Sequence, residues 1–144
     1  MKFEEIIELW GEDSQIDKSE LGDEALKIPK LHHKYYTILI RERAILKKLE
    51  SDLKILKLEK YEFYSQGHTE ETKKKGWKLP PKGMILKSDI PLYMEADQDI
   101  ISITLRIDAQ QEKVDYIDSI LKTLQTRGYV IKTAVDWQKF IMGG

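Results

Sequence analysis

Lysine and tyrosine recur at one helical period near the middle of this chain. Lys57, Lys60, Tyr61 and Tyr64 stand at i, i+3, i+4 and i+7, and Lys54 sits at the edge of that stripe, in line with Tyr61. On an α-helix those positions share a face. Ammonium groups hold phosphates and aromatic faces stack bases, so the set could form a sequence-tolerant site for a single strand of nucleic acid. The same pattern arises when the aromatics pack in a core and the lysines are merely solvated. The residues by themselves leave both readings open. A second basic group surrounds Trp77: Lys73, Lys74, Lys75, Lys78 and Lys82. It too could clamp phosphates or be a solvated loop.

Other candidate chemistry is thin. His32 and His33 are adjacent, so on a helix they point about 100° apart and cannot share a metal. Glu95, Asp97 and Asp99 could pair around a cation, but they suit the N-terminal turn of a following helix better. There is no phosphate-binding glycine loop, dinucleotide fingerprint or nucleophile–base arrangement. The reading is a non-enzymatic protein with no cofactor and no metal.

The elements that would carry these groups are helices. From Leu31 to about residue 66 no Gly or Pro interrupts a run rich in Leu, Lys, Glu and Ile, which predicts one long helix. Leu46, Leu49, Leu53, Leu56 and Phe63 alternate by 3 and 4, with Lys60 at the step between the last two. That is a narrow seam of the kind found in coiled coils and helical hairpins. Gln66-Gly67 supplies a C-terminal stop. Residues 67–95 read as a basic loop and connection. A second long helix is expected over 96–127, with Ile100, Ile103, Ile107, Val114, Ile117, Leu121 and Leu124 as its seam and polar Gln110 completing the stripe. Gly128 is expected to end it, Tyr129-Val130-Ile131 to be extended, and Thr133 to start a last short helix within 129–144. Short helices are expected within 1–30. The fold class is all-α, a single domain whose two long helices form an antiparallel hairpin with short N- and C-terminal helices. Ile38, Ile45, Ile55, Ile101 and Ile120 fall off the seams, so covering helices or self-association are expected.

Charge is uneven. The span 27–87 holds 16 Lys+Arg against 7 Asp+Glu, while residues 1–26 hold 2 against 9. The whole-chain net charge of −1 hides a middle that could meet a polyanion. The chain has no cysteine and no apolar run of membrane length, and its acidic start has no signal-peptide pattern. These features lead us to expect a soluble intracellular protein with no membrane partner.

Several local patterns, in order, resemble the UvsY family, the recombination mediators of T-even-like tailed phages. They are Ile16-Asp17, then Glu24-Ala25-Leu26-Lys27-Ile28-Pro29-x-Leu31-His32-x-Lys34-Tyr35-Tyr36, then Leu46-Lys47-Lys48. Lys60-Tyr61-Glu62-Phe63-Tyr64-Ser65-x-Gly67 follows, then Arg127-Gly128-Tyr129-x-Ile131-Lys132 and Asp136-Trp137-x-Lys139-Phe140. The resemblance implies a single-stranded-DNA-binding protein that forms a hexameric or heptameric homo-oligomeric ring. It implies help for a RecA-like recombinase in displacing the single-strand-binding protein, in the cytoplasm of an infected bacterial host. The family's basic DNA-binding positions precede an aromatic pair, here Phe63-Tyr64. Lys60 matches the later position, and the earlier falls at Leu58 with Lys57 beside it. The end around Trp137 matches a region associated with assembly. The nucleic-acid set is thus Lys54, Lys57, Lys60, Tyr61, Tyr64, Lys73, Lys74 and Lys75. A helical scaffold without nucleic-acid binding is the alternative.

Overall fold

The structure, a computed structural model, describes residues 1–81 and 85–143. Its described residues form helices and connections, with no strand. In chain order the helices are α1 (Phe3–Asp13), α2 (Leu21–Leu26), α3 (Ile28–Gln66), α4 (Glu70–Lys74), α5 (Ile90–Glu95) and α6 (Gln98–Ile141). A single 3₁₀ turn, Lys87–Asp89, precedes α5. No helix among them is long and apolar enough to cross a membrane. The chain divides into two compact units, and both α3 and α6 contribute to each.

The first unit comprises Met1–Ala44 and the chain from Gln110 onward. Its core gathers Ile6, Leu21, Tyr35, Leu39, Val114, Ile117, Ile120, Leu121, Leu124 and Ile131, all buried. Here α3 and α6 run antiparallel. Ile28 lies beside Gly128, and Glu42 lies beside Gln110 and Lys113. Gln110 Nε2 donates to the Glu42 carbonyl at 2.9 Å, and Lys113 Nζ reaches Glu42 Oε1 at 3.3 Å. Arg127 donates to the carbonyls of Asp13 (2.8 Å) and Gln15 (3.1 Å) and pairs with Glu24 at 3.4 Å. It thereby satisfies the last carbonyl of α1 and one in the turn just beyond it. Ile120 is buried here rather than left for a partner, whereas Ile45 stays exposed.

Helix α6 does not stop at Gly128, contrary to the reading of a C-cap, an extended piece and a separate final helix. Gly128 is not among the glycines with positive φ, which among the described residues are Gly67, Gly76 and Gly143. Thr133 Oγ1 donates back to the Tyr129 carbonyl at 3.0 Å, as a mid-helix threonine does. Magnitudes explain the outcome. A glycine inside a helix costs about 1 kcal/mol relative to Ala. Burying Ile131 stabilises by about 1.5–3 kcal/mol, and the Arg127 bonds are added to that. Leu124, Arg127 and Ile131 simply continue the 3–4 seam.

The second unit, Ile45–Ala109, buries Leu46, Leu49, Phe63, Ile90 and Ile100. Helix α3 ends where expected: Gly67 has φ 89° and donates to the Phe63 carbonyl at 2.9 Å. The connection after it is more ordered than a plain loop. Thr69 and Thr72 form a capping box for α4, a Thr-x-x-Thr variant that the sequence reading did not use. Asp97 starts α6. Its Oδ1 accepts the N–H groups of Asp99 (2.9 Å) and Ile100 (3.1 Å), and its Oδ2 accepts the Tyr64 hydroxyl at 2.6 Å and meets Lys60 Nζ at 3.1 Å.

Two outcomes follow for stability. Gly128→Ala should stabilise the protein by about 0.5–1 kcal/mol, because the new Cβ meets only Ile28 Cδ1 at 3.9 Å; a lower melting temperature would contradict the continuous helix. Burial pushes the Asp97 pKa up, but the Tyr64 hydroxyl, Lys60 and the Ile100 N–H outweigh it and hold it below the usual carboxylate value. A lowered folded pKa adds stability that is present above the unfolded value and lost as pH falls through the folded one. Asp97→Ala should therefore cost about 3 kcal/mol near neutral pH, with the gap to wild type narrowing below about pH 4. Urea unfolding at the two pH values measures it.

Candidate nucleic-acid interface

The last turns of α3 carry the basic–aromatic stripe, and the structure splits it. Lys54, Lys57 and Tyr61, at i, i+3 and i+7, are exposed. No carboxylate pairs with Lys54 or Lys57 among the described residues. Ile55 and Leu58, more than half exposed, flank them. An apolar groove of about 460 Å³ lies beside Lys57, walled by Met94, Ile101 and Leu105 with Glu95 at its edge.

Lys60 and Tyr64 turn the other way. Lys60 is only 3% exposed. Its ammonium bonds Asp99 Oδ2 at 2.7 Å and Asp97 Oδ2 at 3.1 Å, and lies 3.7 Å from the centroid of the Trp77 ring. The Tyr64 hydroxyl is spent on Asp97, and burial together with that bond raises its pKa. The expected common face of Lys57, Lys60, Tyr61 and Tyr64 is thus corrected to two adjacent strips, one solvated and one inward. Removing one partner from a buried ion pair costs about 3–5 kcal/mol. A new hydrogen bond to a charged group returns about 1.5–3 kcal/mol. In this conformation the Lys60 ammonium is committed to its two aspartates. The signal was present in the sequence, because Lys60 occupies a step of the leucine seam.

The second basic group sits on α4 and the turn after it. Lys73 and Lys74 are exposed. Lys75 pairs with Glu59 at 3.4 Å and lies 5.0 Å from the Trp77 ring centroid. Glu59 is about 200° around α3 from Lys57, so the two basic groups occupy different sides of that helix. Trp77 packs edge-on against Phe63, with ring centroids 5.3 Å apart. Lys78 is exposed, and Lys82 lies outside the described residues. Among the other acids considered, Asp97 and Asp99 serve the start of α6 and its ion pairs. His32 stacks on Tyr36 and His68 packs on Phe63. The described residues contain no cluster able to hold a metal ion.

Comparison with known proteins adds the family. No curated relative matches the sequence significantly. Crystal structures of the bacteriophage T4 recombination mediator protein UvsY are similar in fold. The lattice type II form gives a TM-score of 0.82 at 20% identity, over 99% of this chain and 98% of that one. The type I form gives 0.80 at 19% identity, over 94% and 98%. The type IV form gives 0.78 at 18%, over 97% and 98%. A family model described as "Recombination, repair and ssDNA binding protein UvsY" matches residues 9–144. That match covers nearly the whole chain, and with it the chain belongs to the UvsY family of recombination, repair and single-stranded-DNA-binding proteins.

Proposed function

We propose that this protein is a non-enzymatic, single-stranded-DNA-binding recombination mediator. It helps load a RecA-like recombinase onto DNA covered by single-strand-binding protein, in the cytoplasm of a phage-infected bacterium. The family match over residues 9–144 carries the reading, and the solvated Lys54–Lys57–Tyr61 line supports it. Two exposed ammonium groups and one exposed ring, spaced along a helix, can follow a phosphate backbone and stack a base without reading sequence. Lys73 and Lys74 on α4 extend the contact. Lys60 and Tyr64, already engaged inside the protein, support the surface instead of touching the strand, while exposed Lys75, only loosely paired with Glu59, stays within reach of it.

Assembly is part of the proposal. The end of α6 and the turn after it expose Tyr129, Trp137, Phe140, Ile141 and Met142, a concentration of apolar surface that a lone monomer rarely carries. A homo-oligomer, hexameric or heptameric, would cover it and repeat the lysine line in every subunit. Weak single contacts then combine through high effective concentration.

Lys54→Ala with Lys57→Ala should weaken oligonucleotide binding and make the slope of log K against log salt shallower by about 1.4, or 0.7 per phosphate contact. An unchanged slope in fluorescence anisotropy would remove these residues from the interface. Trp137→Asp with Phe140→Asp should shift the protein to smaller species in sedimentation velocity and cut affinity for long oligonucleotides more than for short ones. A scaffold without nucleic-acid binding would show no salt-sensitive oligonucleotide binding in any of these samples.

A further inference from the structure

Helix α4 has only five residues, too few to be stable alone, yet both its ends are closed. The Thr69–Thr72 capping box closes the first. At the other, Gly76 has φ 75° and donates to the Lys73 carbonyl at 3.1 Å, while the Trp77 N–H donates to the Thr72 carbonyl at 3.1 Å. This is a Schellman arrangement with glycine at the left-handed position. It delivers the Trp77 side chain to one place, against Phe63 and over the Lys60 ammonium. Lys60 in turn is held by Asp97 and Asp99. A cation desolvated against an indole face binds it more strongly than one in water. The chain of contacts therefore runs from the start of α6, through Lys60 and Trp77, to a helix whose solvated side chains include Lys73 and Lys74.

We propose that Lys60 and Trp77 are positioning residues. They dock α4 on α3 so that Lys73 and Lys74 form a preformed phosphate contact, on a different side of α3 from Lys54 and Lys57. This rests on the single-strand reading above. Docking removes the entropy that a loose lysine loop would lose on binding. Lys60 thus contributes to DNA binding through Trp77, without meeting a phosphate.

A double-mutant cycle tests it, with affinity for an oligo-dT strand as readout and melting curves to confirm folding. Trp77→Ala should lower affinity about three- to tenfold in the otherwise native chain, and less than twofold where Lys73→Ala and Lys74→Ala are already present. Trp77→Phe should retain most of the native affinity. Lys60→Met should repeat the pattern; should that variant fail to fold, Trp77→Ala decides alone. A Trp77→Ala effect that persists without Lys73 and Lys74 would mean that the indole itself touches DNA, and would overturn the proposal. So would no effect at all. If Lys54→Ala with Lys57→Ala weakens binding while the Trp77 and α4 variants do not, only this inference fails. If none of the variants changes affinity, the single-strand surface itself is misplaced.

Discussion

A buried charge inside a narrow helical seam must find its counter-charge at one register, and much of this fold follows from that constraint. Asp97 shows it most fully. One carboxylate meets two backbone N–H groups, a tyrosine hydroxyl and an ammonium, so it starts α6 and fastens the end of α3 in the same act. Sliding either helix by one turn, about 5.4 Å, would leave Lys60 and Asp97 buried without each other. Apolar seams alone tolerate such a slip far better, because one leucine can replace another. In the first unit Glu42 with Gln110 and Lys113, and Glu24 with Arg127, impose the same demand. These pairs need not add net stability. Their effect is that misregistered packings are costly.

The same constraint decides which lysines of this stripe face solvent. Lys54, Lys57 and Lys60 look alike in a sequence, yet the seam separates them. Lys60 falls where α3 turns inward and becomes a structural cation. Lys54 and Lys57 fall where it turns outward and keep their charge for solvent. The seam register, more than side-chain type, thus sets which of these lysines is a structural cation.

Much of this was legible in residue spacing. The two seams, the glycine stop at Gly67 and the start of α6 after Pro91 follow from period and turn chemistry. Even the burial of Lys60 and Gln110 was written in their seam positions, but side-chain type argued against it for Lys60. Gly128 was misread for the opposite reason. Glycine is a local signal, and the seam through Arg127 and Ile131 is a tertiary one, which here is worth more. The order of residues 69–77 was obscured because its caps use Thr twice where an acid or amide usually completes the box. Its anchor, Trp77 over Lys60, is a contact between residues 17 positions apart, which no local pattern displays.

Folding also redistributes the charge of the basic middle. Acids of the first helices take up two of its early lysines: Glu24 pairs with Lys27 at 2.9 Å and Asp13 with Lys34 at 2.6 Å. Asp97 and Asp99 absorb Lys60, and Glu59 holds Lys75. Lys54, Lys57, Lys73 and Lys74 are among those left exposed without an ion-pair partner among the described residues, as are Lys30, Arg41, Lys47 and Lys78. Part of the positive excess spread over 61 residues is thus neutralised within the fold, and the exposed remainder includes short strips at the end of α3 and on α4. Salt screens surface charge beyond about 8–10 Å, so a diffuse excess would matter little to a polyanion at physiological ionic strength. Only charge that comes within that range of a phosphate counts, so the local density of lysines matters more than their total.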